Sequence, residues 1–311
     1  MDKKESNSKA SNIMNYSNIS NISNISNSSN RTRTNHRIPF IGLLIIFTAL
    51  VLMLGFGLSA CSNNSDSNDK GDRPYITVGS EDYPPFVAMD SNGDPTGIDI
   101  DILKEALDRI GYDIRFTEIR WEEKEELLAS GEVDCVTGGF TIEGREDDYL
   151  WVGPYMSSNQ VAVVNKASDI SSLQELEGKY IAVQASGIGE EILFEHRNSS
   201  ISEDIQIFSY EDNSLPFAAL ACNYVDALIA DDPAVSQYMQ DYHTSFVILD
   251  EPVMTAGVGT AFAKNDENKK LCKKLNAVIK EMRKDGTLKE IVSKYFEDAD
   301  RYLEGGDDLE G

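Results

Sequence analysis

The stretch VDCVTGGFTIEGR, residues 133–145, joins a short apolar run to residue types that suit a binding site. Its first five residues are predicted to form a buried strand, because a short apolar run that ends at glycine is typical of one. Gly138 and Gly139 follow, and two glycines allow a ligand to approach backbone groups closely. Thr141 then offers a hydroxyl, and the planar guanidinium of Arg145 matches a carboxylate. A lone arginine is usually a solvated surface group, but its place behind a strand and a glycine pair favours a binding role.

Strands and helices are predicted to alternate on both sides of this stretch. Strands at 75–79 and 114–119 and helices at 99–110 and 122–130 precede it, which gives a β-α-β-α-β order. That order is typical of a largely parallel sheet covered by helices. A second alternation follows, with strands at 160–165, 180–183, 205–208, 227–230, 246–249 and 257–263, helices at 189–196, 214–224 and 233–240, and two last helices around 271–282 and 288–296.

Two α/β units in tandem predict two lobes that face each other across a cleft. Ligands of open α/β sheets bind beyond the carboxyl ends of the strands. The residues that carry the chemistry should therefore lie directly after strands, as those of residues 138–145 do.

Three further strands end at residues of this kind. The loop EDYPPF, residues 81–86, presents Tyr83 on a turn fixed by two prolines, either as a ligand wall or as part of a rigid turn with core aromatics. Gly187 and Ile188 open a helix, whose free N–H groups suit an anion. Asp231 begins Asp-Asp-Pro, where one carboxylate caps a helix and the other is free to bind a cation. An arginine, an acid and an aromatic wall together complement a zwitterion such as an α-amino acid.

Several motifs, in their order and spacing, carry a family resemblance. They include YPPF at 83–86, GIDIDI at 97–102, Trp121 with Leu128, Gly131 and Asp134, Arg145 followed by GPY at 153–155, LEGK at 176–179, VDA at 225–227, and DGT at 285–287 with KYF at 294–296. Over residues 74–296 the chain resembles extracytoplasmic solute-binding proteins of the polar amino-acid type, family 3, which are receptor lipoproteins of ABC importers. The resemblance implies an α/β, two-lobed periplasmic-binding-protein-like fold of type II, with two hinge strands at 160–165 and 257–263.

The resemblance also implies roles for individual residues. Tyr83 and Trp121 would pack on the ligand side chain. Arg145 would grip the α-carboxylate, helped by Thr141 and by the backbone near Gly187 and Ile188, and Asp231 would bind the α-ammonium. The segment Ser186-Gly187-Ile188 departs from the family's usual Gly-Ser/Thr-Thr order, and the interval from Thr141 to Arg145 is one residue shorter than usual. Glu143 and Asp148 are candidate competitors for Arg145.

The N-terminal part of the chain predicts export and lipid anchoring. Arg31, Arg33 and Arg37 precede the apolar residues 38–60, and Leu-Ser-Ala-Cys then ends at Cys61. This order is that of a secretory signal, and its end resembles a bacterial lipobox with Cys61 as the lipidated residue. The alternative is an ordinary transmembrane helix, since the apolar run is long enough to span a bilayer.

The expected organisation follows from these segments. It comprises a lipoprotein signal peptide with a disordered start (1–60), a flexible linker (61–73), the first part of lobe 1 (74–162), lobe 2 (163–260), a return to lobe 1 with the C-terminal helices (261–298), and a loose acidic tail (299–311).

Composition excludes several function classes. The formal net charge of −25 repels polyanions, so nucleic-acid binding is not expected. The cysteines show no Cys-x-x-Cys spacing, so neither a metal nor a cofactor is indicated, and Cys135, Cys222 and Cys272 are expected to be buried free thiols.

The favoured hypothesis is a monomeric, membrane-anchored receptor, not an enzyme. It would close its lobes over an amino acid outside the cytoplasm and dock on a membrane permease. Two alternatives stay open: a sensory lipoprotein with the same binding residues, and a cyclohexadienyl-dehydratase-like enzyme with Glu143 or Glu190 as general acid. The sequence does not identify the ligand.

Overall fold

The computed structural model describes residues 73–303, in which strands and helices alternate. The strands are β1 Tyr75–Ser80, β2 Ala88–Met89, β3 Pro95–Thr96, β4 Asp113–Glu118, β5 Cys135–Val136, β6 Leu150–Asn165, β7 Tyr180–Gln184, β8 Gln206–Tyr210, β9 Ala227–Asp231, β10 Phe246–Ile248 and β11 Met254–Phe262. The α-helices are α1 Ile98–Arg109, α2 Lys124–Ser130, α3 Ile188–Phe194, α4 Ser214–Ala221, α5 Asp232–Tyr242, α6 Asp266–Asp285, α7 Thr287–Val292 and α8 Asp300–Leu303. Short 3₁₀ helices occur at Trp121–Glu123 and Leu173–Leu176.

Two parallel groups of strands flank an antiparallel centre. The strand order of the main sheet is β4-β1-β5-β11-β6-β9-β7-β8, with β10 also paired to β6. Strands β4, β1 and β5 are parallel to one another, and so are β9, β7 and β8. We call the first group with its helices lobe 1 and the second lobe 2. This architecture confirms the predicted two-lobed α/β fold.

Each lobe is held by helices whose apolar faces match the sheet. In lobe 1, α1 and α6 bury regularly spaced apolar side chains, among them Leu103, Leu107, Leu275 and Met282. Helix α6 ends at Gly286, which adopts the left-handed conformation that glycine tolerates best. Full burial of such a side chain contributes about 1.5–3 kcal/mol. No helix within residues 73–303 has the length and apolar character needed to cross a bilayer.

The two long antiparallel strands connect the lobes. Strand β6 pairs with β11 on one side and with β9 on the other, so it runs from lobe 1 into lobe 2. The strands predicted at 160–165 and 257–263 lie within or overlap β6 and β11, which begin earlier than expected. The carboxylate of Glu143 accepts the Gly257 N–H at 2.7 and 2.8 Å, which fixes the loop after β5 to β11.

Two expectations need correction. The chain after residue 298 is not all loose, because α8 packs on β6 and buries Tyr302, while Arg301 pairs with Asp232 at 2.6 Å. Cys222 is exposed and not buried, since it lies at the C-terminal end of α4, whereas Cys135 and Cys272 are buried free thiols. The predicted signal peptide, Cys61 and the linker lie outside the described residues, apart from Arg73.

Candidate ligand-binding site

Neighbouring strand ends bring the predicted residues of lobe 1 together. Strands β1 and β4 pair in parallel, with Ser80 opposite Glu118. The loops that follow them therefore leave the same edge of the sheet, and they carry Tyr83 and Trp121. Tyr83 is buried and stacks on Phe86 with ring centroids 5.6 Å apart.

Asp231 lies at the corresponding strand end of lobe 2. It is only 6% exposed and closes β9, opposite Gln160 of β6. The Ser158 hydroxyl donates to its Oδ1 at 2.7 Å, and the Tyr83 hydroxyl donates to its Oδ2 at 3.2 Å. Burial raises the pKa of Asp231 to about 6, although these hydrogen bonds favour the carboxylate. The Asp231 side chain accepts no capping hydrogen bond at the start of α5, so its carboxylate is not used by the helix end.

A small cavity lies beside Asp231. It has a volume of about 30 Å³, and Tyr83, Gln160, Gly187, Ile188 and Asp231 are among its lining residues. Gln160 is 2% exposed, and its Nε2 has no hydrogen-bond partner among residues 73–303, although its proximity to Asp231 favours the carboxylate. Such a volume is near that of a single water molecule, so the lobes lie close together around it.

Arg145 has a partner that the sequence did not reveal. It is 6% exposed, and its Nε and Nη2 donate to Oε1 of Glu191, with an Nε–Oε1 distance of 3.1 Å. Its Nη1 donates to the carbonyl of the buried Thr141 at 3.5 Å. The guanidinium also lies over the Phe140 ring, 5.0 Å from its centroid. A carboxylate of lobe 2 therefore occupies the arginine predicted to bind a ligand carboxylate.

The carboxylates of the two proposed competitors make no ion pair with Arg145 in the described part of the chain. Glu143 accepts the Gly257 N–H, as described above. The Asp148 N–H donates to the Arg145 carbonyl at 3.0 Å. Glu190, a candidate general acid, accepts the Ser186 N–H at 2.7 Å at the start of α3.

The glycine pair serves the fold. The N–H groups of Gly138 and Gly139 each donate to Oδ2 of the buried Asp99 at 2.9 Å. Their φ angles are 120° and 66°, and a Cβ on Gly139 would lie 2.9 Å from the Phe86 ring. That a ligand contacts these two residues stays a prediction, but their N–H groups already donate to Asp99 and would not be the donors.

Trp121 packs within an aromatic cluster under a buried lysine. Its ring meets Phe140 edge-on at 4.9 Å, and Lys124 Nζ lies 5.0 Å from its centroid. Lys124 Nζ also donates to the Ser186 carbonyl of lobe 2 at 3.2 Å. Burial, followed by the nearby charge of Arg145, lowers the pKa of Lys124.

Several polar contacts join the lobes across the cleft. They are Tyr83 to Asp231, Lys124 to Ser186, Arg145 to Glu191, Gln184 to Glu81, and Asn213 to the Asp82 carbonyl. Sequence analysis missed Glu81, Lys124, Gln160, Gln184 and Glu191 as cleft residues. Glu81 and Gln184 did give a signal, since Gln184 directly follows the predicted strand 180–183 and Glu81 lies in the loop after the predicted strand 75–79.

The fold and this cleft define a two-lobed binding protein. The match to known proteins is specific: the family model for bacterial extracellular solute-binding proteins, family 3, covers residues 76–298, and the chain belongs to that family.

Relatives of known name support the same class. The arginine-binding extracellular protein ArtP of Bacillus subtilis (strain 168) is 28% identical over 259 residues, covering 82% of this chain and 97% of ArtP. A solved ancestral arginine-binding protein bound to arginine is 30% identical, with a TM-score of 0.65, over 72% of this chain and 99% of that one. The ancestral amino acid-binding protein AncCDT-1, a precursor of cyclohexadienyl dehydratase, is 28% identical with a TM-score of 0.63, over 71% and 95%.

Proposed function

We propose that this protein is the receptor lipoprotein of an ABC importer and captures a small zwitterionic amino acid outside the cytoplasm by closing its lobes. One observation carries the proposal. The buried carboxylate of Asp231 lies in the cleft and accepts hydrogen bonds from Ser158 and, across the cleft, from Tyr83. A fixed acid at that place suits an ammonium group that both lobes enclose. Closure strengthens this pair because it excludes water.

Arg145 is the proposed partner of the ligand α-carboxylate. In this arrangement the ligand displaces Glu191 from the guanidinium, and charge-assisted bonds of the same type replace those lost. Ser186-Gly187-Ile188 offers no hydroxyl at its last two positions, so the carboxylate depends more on Arg145. Tyr83 and Trp121 remain proposed contacts of the ligand side chain.

A thermal-shift screen against the common amino acids, with the purified full-length protein, tests the function. A ligand at 100 times its dissociation constant adds about 2.7 kcal/mol of stability. For the amino acid that binds, we expect Arg145→Ala to lower affinity at least tenfold and Asp231→Asn to lower it at least as much, as measured by calorimetry. If no amino acid shifts the transition, or if both variants bind unchanged, the proposed site is wrong.

The lipid anchor and the permease are parts of the same proposal. Cys61 is the proposed lipidation site, and the protein is proposed to act as a monomer that docks on a membrane permease. In a bacterial host, wild-type protein should incorporate a labelled fatty acid, and Cys61→Ala should incorporate none. Equal labelling of the two proteins, or no labelling of the wild type, would exclude lipidation at Cys61.

The enzymatic alternative has less support from the geometry. Glu143 and Glu190, its candidate general acids, each accept a backbone hydrogen bond. Incubation with prephenate followed by detection of an aromatic product separates this alternative from binding alone.

A further inference from the structure

Two glutamates lie at the same edge of the lobe 1 sheet. Glu81 directly follows β1, and Glu122 lies in the 3₁₀ helix that follows β4. Because β1 and β4 are adjacent and parallel, both side chains belong to the cleft edge that also carries Tyr83. The negative charge of Glu122 is felt at Glu81, where it opposes ionisation of the second carboxyl.

Glu122 is a buried carboxylate without a hydrogen bond. Both of its side-chain oxygens are buried, and neither finds a donor in the described part of the chain. An unpaired buried carboxylate is unfavourable, and such groups normally have a cation or several donors beside them. The like charge of Glu81, which interacts with that of Glu122, increases this cost.

Two basic side chains, Arg120 and Lys124, lie near enough to feel the charge of Glu122, but they donate their hydrogen bonds elsewhere. Arg120 donates to Glu123 and lies 3.8 Å from Glu211. Lys124 Nζ donates to the Ser186 carbonyl across the cleft. Neither provides a hydrogen bond to Glu122.

A separate observation is that the adjoining cavity contains a buried amide whose donor is unused, which suits a polar ligand. Gln184 of lobe 2 donates to Glu81 and also lines the cavity beside Asp231. In the same lining, the fully enclosed Gln160 has an Nε2 without a partner among residues 73–303. The Glu81 carboxylate is thus connected, through one amide side chain, to the place proposed for the ligand.

We infer that Glu81 and Glu122 bind the cationic side chain of the ligand, which is therefore a basic amino acid of the arginine or lysine class. The inference rests on the proposed function and adds the side-chain specificity. The α-ammonium of the ligand pairs with Asp231. The guanidinium or ammonium group of the ligand side chain binds Glu81 and displaces the Gln184 amide from it.

The sharpest test compares two ligands of nearly equal shape. L-arginine and L-citrulline differ in a charged guanidinium against a neutral ureido group. Calorimetry on the full-length protein should show arginine binding at least 100-fold more tightly than citrulline. Glu81→Gln and Glu122→Gln should each weaken arginine at least tenfold and change citrulline less than threefold.

Matched controls separate this inference from the function itself. Glu123→Gln removes a neighbouring acid of the same 3₁₀ helix, one that pairs with Arg120, and should leave the arginine-to-citrulline ratio unchanged. Asp231→Asn should weaken both ligands. Binding of amino acids without preference for arginine or lysine would overturn the inference alone, whereas binding of none would overturn the proposed function.

Proton release gives a second readout that does not depend on any variant. Burial raises the pKa of Glu81 to about 7, with Glu122 and Asp212 adding to the effect and the Gln184 and Asn213 amides opposing it. Binding of a cation lowers that pKa, so arginine should release about half a proton at pH 7. Calorimetry in two buffers of different ionisation enthalpy measures the release. Citrulline should release only about a tenth of a proton, from Asp231, whose pKa of about 6 leaves it mostly ionised at pH 7. Equal release with both ligands would contradict the pairing.

Discussion

At the scale of single residues, the environment of Asp231 makes its ionisation part of the stability of the fold. Burial raises its pKa from 3.8 in a model peptide to about 6, so the folded protein binds this proton more tightly than the unfolded chain. The stability that the proton contributes is fully present below pH 3.8 and is lost as the pH rises through 6. The ionised form of Asp231, which contributes less to stability, is the form that binds an ammonium.

The first prediction follows from this direction of the pKa shift. Relative to Asp231→Asn, which cannot ionise, the free energy of unfolding of the wild type should fall by about 2–3 kcal/mol as the pH rises from 4 to 7. Urea denaturation without ligand measures both proteins, and the other acids cancel in the difference. A difference that stays constant with pH would show that Asp231 is not perturbed.

Glu191 gives a second prediction at this scale. Its carboxylate occupies the Arg145 guanidinium, so a ligand carboxylate must displace it. Glu191→Gln should therefore raise the affinity for the bound amino acid about three- to tenfold, as calorimetry would show. Glu203→Gln is the matched control, because Glu203 is an exposed acid of lobe 2 that precedes β8, at the sheet edge opposite the cleft. Weaker binding by Glu191→Gln would mean that Glu191 assists the closed form more than it competes.

At the scale of elements, the turn after β5 depends on close packing as well as on glycine conformation. Gly139 and Gly131 both have a positive φ, of 66° and 77°. A Cβ at Gly139 meets the Phe86 ring at 2.9 Å, whereas one at Gly131 meets nothing within 4 Å. Comparing Gly131 with Gly139 therefore separates the cost of backbone strain, which both positions share, from a steric clash that occurs only at Gly139.

The third prediction uses this pair. Gly131→Ala should lower the free energy of unfolding by about 1 kcal/mol, through backbone strain alone. Gly139→Ala should lower it by about 1–3 kcal/mol more, since Phe86 is fully buried and has little room to move. Thermal or urea unfolding provides the values, and equal losses would show that the turn adjusts.

At the scale of the whole molecule, helix α8 packs on β6, the strand that connects the two lobes. Arg301 of α8 pairs with Asp232, which is 2% exposed and also accepts the Asn159 N–H of β6 at 3.0 Å. Ser158, which precedes Asn159, donates to Asp231. Helix α8 is thus linked, through Asp232 and the β6 segment at 158–159, to Asp231, the proposed ammonium site.

The fourth prediction tests this link. Arg301→Gln should lower the free energy of unfolding by about 1–2 kcal/mol, because it leaves the buried Asp232 without its cation. The value is below that of a fully buried pair, since Arg301 is 56% exposed. Lys289→Gln, which breaks the exposed pair with Asp300, should cost less than about 0.5 kcal/mol. Equal effects of the two variants would show that α8 contributes little to the fold.

The sequence by itself determined the two-lobed architecture, because alternating apolar patterns fix strands and helices locally and the family motifs fix their order. It also indicated Tyr83, Arg145 and Asp231 as cleft residues, since each follows a predicted strand. Only the tertiary structure decided what these residues contact. The pairing of Arg145 with Glu191, the use of the Gly138 and Gly139 N–H groups by Asp99, and the unpaired carboxylate of Glu122 all depend on segments far apart in the chain or on burial. Neither local propensity nor periodicity carries that information, because both describe a residue and its neighbours along the chain.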